Sequence, residues 1–200
     1  MDKKIGLFWL RDDFRIIKND GLIEATKNHD QVVVFFLYKP DTHKHQEAQK
    51  WWLSKSLSNF RKKLNSLNIN LEIVNTNSFK LFFDNLLEKK NFNIYWNKVY
   101  EPDYLQFDEY LSSNLKKKNI SFKRFKGNAL NEINEIKKGD GTPFKVFTPF
   151  WRTAEKFYIE KIPSREKMIK KCKKKITYFK NCVEPEQILP KKNGFKNLKN

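Results

Sequence analysis

IGLFWLRDDFRIIKNDGLIEATKNHDQVVVFFLY, residues 5–38, begins and ends on nearly unbroken apolar runs. IGLFWL (Ile5 to Leu10) and QVVVFFLY (Gln31 to Tyr38) lack the alternation of a half-exposed strand. A strand covered on both faces, as at the centre of a parallel sheet, has this form. Between them DGLIEATKN is short, polar at its start and compatible with a helix. The stretch therefore reads as one β-α-β unit, with two central strands lying side by side.

The same alternation continues downstream. From Glu47 to Leu67 the apolar positions Leu53, Leu57, Phe60, Leu64 and Leu67 draw one stripe along a helix. LEIVN (Leu71 to Asn75) predicts a third strand, SFKLFFDNLLEKK a helix capped by Ser78, and NIYWNKVY (Asn93 to Tyr100) a fourth strand. Tyr104, Phe107, Leu111 and Leu115 mark a further helix, and SFKRFKG a weaker, edge-like fifth strand. Strands and helices in strict turn predict an α/β domain, doubly wound and Rossmann-like, with a parallel sheet of about five strands and helices on both faces.

After Asn128 the pattern breaks into loop-like sequence, then GTPFKVFTPFWRTAEK, residues 141–156. Thr148 before Pro149 is a helix start, and Phe150, Trp151, Ala154, Phe157 and Tyr158 give that helix a heavily apolar face. Such a face packs either on its own sheet or against a domain that follows. The expected organisation is an α/β domain over 1–160 and a basic tail, or the start of an interdomain linker, over 161–200.

Composition bounds the rest. Two hundred residues with 18 Phe, seven Tyr and five Trp exclude a disordered chain. The net charge is +18, of which residues 161–200 carry +10, from 13 Lys and Arg against three Glu. A run such as KKCKKK is either a solvated stretch or a nucleic-acid contact. Cys172 and Cys182, ten residues apart, form neither a zinc framework nor a secreted disulfide scaffold and read as free thiols. With no apolar run approaching a membrane span or a signal peptide, the expected location is cytoplasmic, with no membrane partner.

In a doubly wound sheet, ligands collect outside the carboxyl ends of the strands. Those ends carry RDDFR (11–15), KPDTHKH (39–45), NTNS (75–78) and YEPD (100–103), a polar rim able to hold an anionic or hydrogen-bonding ligand. Asp13 and Arg15 are suited to pair with each other and to cap a helix, ordering their loop. No glycine-rich dinucleotide turn and no G-x-x-x-x-G-K-[ST] loop follows the first strand, which counts against a generic nucleotide enzyme. Asp41, Thr42 and His43 lack the strand-turn-helix context of a nucleophile, and His43 with His45 lacks further ligands for a metal. His29 reads as a surface residue. Trp51 and Trp52 fit core packing, an interface edge or the wall of a chromophore site.

Four segments in order then resemble the DNA photolyase and cryptochrome family: LFWLRDDFRIIKNDGLIEA (7–25), QKWWLSKSLSNFRKKL (49–64), IYWNKVYEPDYLQFD (94–108) and GTPFKVFTPFWRTAEK. The last is the most specific, similar to the family's Gly-x-Pro-Tyr-Lys-Val-Phe-Thr-Pro-Phe-Trp-Arg passage. The resemblance covers residues 5 to 160. It implies the N-terminal antenna domain of a protein that, when complete, uses blue light to repair pyrimidine dimers in DNA, or of a cryptochrome with a signalling role. It also implies that FAD and the catalytic residues belong to a helical domain outside this chain, in cis or in trans, so the chain alone should not repair DNA.

The implied cofactor of this domain is an antenna pigment, a reduced folate or a deazaflavin. The resemblance assigns Glu101, from the family's Trp-Asn-x-x-x-Glu-Pro turn, as the first candidate for its contact, with Asp103, His43 and Lys50 as further candidates. Asp103 stands where folate-binding members often have Asn, Tyr104 where they have Glu, and Val99 where deazaflavin-binding members often have Asp, which leaves the pigment open between the two. Two readings from other classes remain beside it: a stand-alone adenine-nucleotide-binding module using the same rim, and a basic adaptor working through the lysine-rich tail.

Overall fold

The computed structural model describes residues 4–40, 46–132, 134–159 and 168–190. Its core is a six-stranded sheet in the order β5-β4-β1-β2-β3-β6. The strands are β1 (Ile5–Leu10), β2 (Val32–Tyr38), β3 (Asn70–Asn75), β4 (Phe92–Asn97), β5 (Phe122–Phe125) and β6 (Cys182–Val183). The first five pair in parallel, and β6 runs antiparallel to β3. β1 and β2 are the inner pair, with Phe8 beside Val34, and every residue from Gly6 to Leu10 and from Val32 to Phe35 is buried.

Among the described residues, four α-helices cover the two faces. α1 (Asp20–Asn28) and α2 (Glu47–Ser66) lie on one side, where Leu22, Ala25, Leu57, Phe60 and Leu64 pack with Phe8, Leu10, Val32 and Val34. α3 (Phe79–Leu87) and α4 (Pro102–Lys117) lie on the other, where Phe83, Leu111 and Leu115 pack with Leu7, Trp9, Val33 and Trp96. The period-two geometry of a strand sends successive side chains to opposite faces, so unbroken apolar runs feed both layers. Each fully buried Leu, Val or Phe contributes on the order of 1.5–3 kcal/mol. Ser78 caps α3, its hydroxyl accepting from the Leu81 N–H. α5 (Phe147–Ile159) starts one residue before Thr148 and leaves Phe147 and Trp151 exposed.

The five parallel strands and the helices on both faces are as the sequence predicts, and the short β6 adds a sixth strand at one edge. Two observations correct the sequence reading. Residues 168–190, which read as tail or linker sequence, fold onto the domain: Ile169, Cys172, Phe179 and Ile188 are buried and β6 closes the β3 edge. His29 is half-buried rather than a surface residue. Its ring nitrogens meet the Lys4 carbonyl at 2.8 Å and the Tyr95 hydroxyl at 3.0 Å, and burial lowers its pKa. No helix among the described residues is long and apolar enough to cross a membrane.

Candidate functional site: a cleft at the carboxyl ends of the strands

The chain runs from β1 through β2 to β3 in one direction across the sheet and then returns to place β4 on the other side of β1. At such a reversal the loops leaving β1 and β4 turn to opposite faces of the sheet and open a crevice. The loop after β1 is fixed there by a buried polar network. Asn97, the last residue of β4, donates through Nδ2 to Asp13 Oδ2 at 2.9 Å and to Asn19 Oδ1 at 3.0 Å. Asn19 Oδ1 also accepts the Leu22 N–H and so caps α1. Asp13 binds Arg15 with both oxygens, each at 2.7 Å, and this pairing raises the pKa of the guanidinium. The pairing of Asp13 with Arg15 is thus present, while the cap comes from Asn19.

Arg11 extends the network toward the crevice. Its Nη1 and Nη2 donate to Asp108 Oδ1 and Oδ2 at 3.1 and 3.2 Å, and its Nε donates to the Asn97 carbonyl at 3.1 Å. Only 6% of Arg11 and 1% of Asp108 meet solvent, so the two charges compensate each other out of water. Burial lowers the Arg11 pKa, and Asp108 opposes that effect. The guanidinium also lies over the Trp9 ring, 4.7 Å from its centroid, and 5.6 Å from that of Tyr104.

Beside this pair is a cleft of about 390 Å³. Its apolar walls include Trp9, Leu37, Phe79 and Phe107, and its polar rim includes Lys39, Asn77, Ser78 and Asp103. Trp9 and Phe79 meet edge to face, with centroids 6.1 Å apart. Apolar walls, few polar groups and this volume suit a flat organic ligand. A smaller cleft of about 290 Å³ lies on the α2 side and shares Arg11, Asp12 and Phe36 with the first. Gln49 and Trp52 of α2 line it, and Trp52 packs edge to face on Phe14.

The four candidate residues do not gather at one point. Asp103 is part of the cleft wall. Glu101 is the exposed N-cap of α4, two residues away and outside that lining. Lys50 lies on α2 and lines neither cleft, and His43 falls outside the described residues. The aromatic walls and Arg11 were not among the candidates. Phe79 directly after the Ser78 cap, and Tyr104 and Phe107 in the first turns of α4, were the available signal, because a helix start at a strand's carboxyl end turns its side chains toward the crevice.

Comparison with known proteins bears on the family and the fold. The DNA photolyase family profile matches residues 6–167. A deoxyribodipyrimidine photo-lyase of Agrobacterium fabrum is 26% identical over 149 residues, which are 74% of this chain and 31% of that protein. The chain therefore spans about 31% of the length of that relative. The crystal structure of a class III photolyase from Agrobacterium tumefaciens superposes with a TM-score of 0.80 at 22% identity, covering 96% of this chain and 40% of that one. An archaeal photolyase from Sulfolobus tokodaii, described with two FAD molecules that imply a novel light-harvesting cofactor, superposes with a TM-score of 0.70 at 17% identity, covering 92% and 40%. With the profile matched over most of its length and the sheet and helices of those structures, the chain belongs to the DNA photolyase family.

Proposed function

We propose that this chain is a light-harvesting module that holds an antenna pigment, a reduced folate or a deazaflavin, in the cleft at the carboxyl ends of β1 and β2. The observation that carries the reading is the cleft itself: aromatic and aliphatic walls sized for a planar ring system, with Asp103, Lys39, Asn77 and Ser78 able to hydrogen-bond its edge. When bound, the pigment would supply absorption of blue light and transfer of excitation. The protein's own part is to hold the ring between apolar walls, exclude water from its faces and fix its orientation through the rim.

The acceptor in this reading is FAD on a helical domain outside this chain, and the complete assembly would repair pyrimidine dimers in DNA. The exposed aromatic side chains of α5, Phe147 at 70% and Trp151 at 41%, their rings stacked at 6.2 Å, support a role for that helix in meeting the second domain. An adenine-nucleotide role is disfavoured on physical grounds. The start of α1, where such folds receive phosphate, already has its Leu22 N–H capped by the Asn19 side chain and has Asp13 and Asp20 close by.

Titration of the purified chain with a reduced folate, a deazaflavin, FAD and ATP, followed by absorbance and fluorescence, tests the reading. Binding of a folate or deazaflavin, weakened by Asp103→Ala, is expected. Binding of ATP alone, or of none of the four, would overturn it.

A further inference from the structure

We infer that residues 168–180 form a preordered contact surface for the phosphate backbone of a DNA duplex, at the end of the sheet opposite the cleft. This segment contains six lysines, Lys170, Lys171, Lys173, Lys174, Lys175 and Lys180, and no acidic residue. It does not hang free as a charged tail. The Lys170 N–H donates to Thr26 Oγ1 at 3.1 Å, the Cys172 N–H to the Leu67 carbonyl at 2.9 Å, and the Lys173 N–H to the Asp30 carbonyl at 3.0 Å. Glu72 then accepts the Tyr178 and Phe179 N–H groups at 2.9 and 2.6 Å. The segment is a strap laid from α1 across the loop before β2 to β3.

The strap sorts its side chains by chemistry. Ile169, Cys172 and Phe179 point inward and are buried, while all six lysines are exposed. At its middle lies a shallow cleft of about 460 Å³ bordered by Lys4, Gln31, Asn91, Lys173 and Lys174. Lys4, Gln31 and Asn91 precede β1, β2 and β4, so this cleft opens at the amino ends of the strands. Asp30, which pairs with Lys173 at 3.0 Å, is the carboxylate in its lining.

A duplex fits this surface better than a lipid bilayer does. Adsorption to a membrane interface draws on apolar side chains that insert beside the charges. Here the strap turns its apolar side chains into the core, leaving Met168 as its exposed large one. Point charges on flexible stems over a rigid backbone match closely spaced phosphates, which need no base-specific geometry. Because the backbone is already fixed, binding orders only the lysine side chains, which lowers its entropic cost.

The test uses the full 200-residue chain and a short fluorescent DNA duplex, with anisotropy read between roughly 50 and 200 mM salt. The variant Lys170→Gln/Lys171→Gln/Lys174→Gln is compared with Lys55→Gln/Lys116→Gln/Lys137→Gln, which removes the same charge from exposed sites away from the strap. Far-UV circular dichroism checks that both remain folded. The strap variant is expected to bind about tenfold more weakly at low salt. The slope of log K against log salt should flatten by nearly one for each phosphate that is no longer neutralised. The control should stay within about twofold of the parent chain. Equal weakening in both variants would reduce the effect to net charge and overturn the proposal. So would retention on phosphatidylserine vesicles without duplex binding, or the absence of both.

Discussion

Arg11 and Asp108 face each other through two hydrogen bonds of 3.1 and 3.2 Å, joining the loop after β1 to the middle of α4. Arg11 is itself part of the cleft lining, so the pair sets how far the loop after β1 stands from α4 there.

Breaking one side of this pair leaves a buried charge without its partner. Arg11→Met is therefore expected to lower stability by about 3–5 kcal/mol in urea unfolding, and Asp108→Leu by a similar amount. The double variant should recover much of that stability, since neither charge then remains buried. A single substitution that costs less than about 1 kcal/mol would mean that the loop is held by the Asn97 network instead.

Glu101 and Asp103 make a controlled comparison for ligand binding. Two positions apart at the start of a helix, they point in different directions, and only Asp103 is in the cleft wall. Asp103→Ala is expected to weaken the folate or deazaflavin that binds by about three- to tenfold, the value of one hydrogen bond. Glu101→Ala should change it by less than twofold. Equilibrium titration of the two variants reads the difference, and the reverse order would move the ligand to the outer lip of α4.

Glu72 latches the strap from inside the sheet. Burial raises its pKa above the ordinary 4.5, while hydrogen bonds from Phe179, Tyr178 and Asn70 pull it down. The folded chain thus holds this proton more tightly than the unfolded chain does. Its contribution to stability grows as pH falls through the folded value and levels off below 4.5. Glu72→Gln removes that dependence and turns an NH₂ group toward a backbone N–H, costing about 1–3 kcal/mol. Urea midpoints of both chains from neutral pH downward should show the parent gaining on the variant as acid is added. Parallel curves would mean that Glu72 does not titrate in this window.

The two thiols should be slow to react. Burial raises the Cys172 pKa and, with Glu72 nearby, takes that of Cys182 to about 11. The thiolate is the reactive form, so labelling of Cys182 by a disulfide reagent near pH 8 is expected to run on the order of a hundredfold slower than for a free cysteine, although its side chain is exposed, and Cys172 is also slowed. Glu72→Gln should speed the reaction at Cys182. Cys182 is exposed, so labelling at the free rate would show that its thiol is not held in the protonated form.

The inner strands were legible because burial on both faces leaves no room for polar residues. VVVF of β2 and GLFWL of β1 hold that condition over their whole length. The stripe of Leu53, Leu57, Phe60 and Leu64 was equally plain, because one helix face meets one sheet. β6 was not legible: two residues, Cys182 and Val183, carry no period, and they form a strand only because the β3 edge is there to pair with. The strap's anchors, Ile169, Cys172 and Phe179, fall at irregular spacings and are selected by the surface they cross. At the site, the rim loops could be located from the strand ends. The walls could not, since Trp9, Leu37, Phe79 and Phe107 come from four separate elements that only the packed fold brings together.

The antiparallel addition of β6 also bears on how copies of the chain treat one another. β3 would otherwise present open N–H and C=O groups, an invitation to pair with the same strand of another molecule. At the far side β5 keeps such partners away by other means, with Lys123 and Arg124 in its four-residue length. One border of the sheet is closed by pairing and the other is guarded by charge, so removal of β6 would leave a sheet open to growth from one side and set the chain on the path to fibrillar self-association.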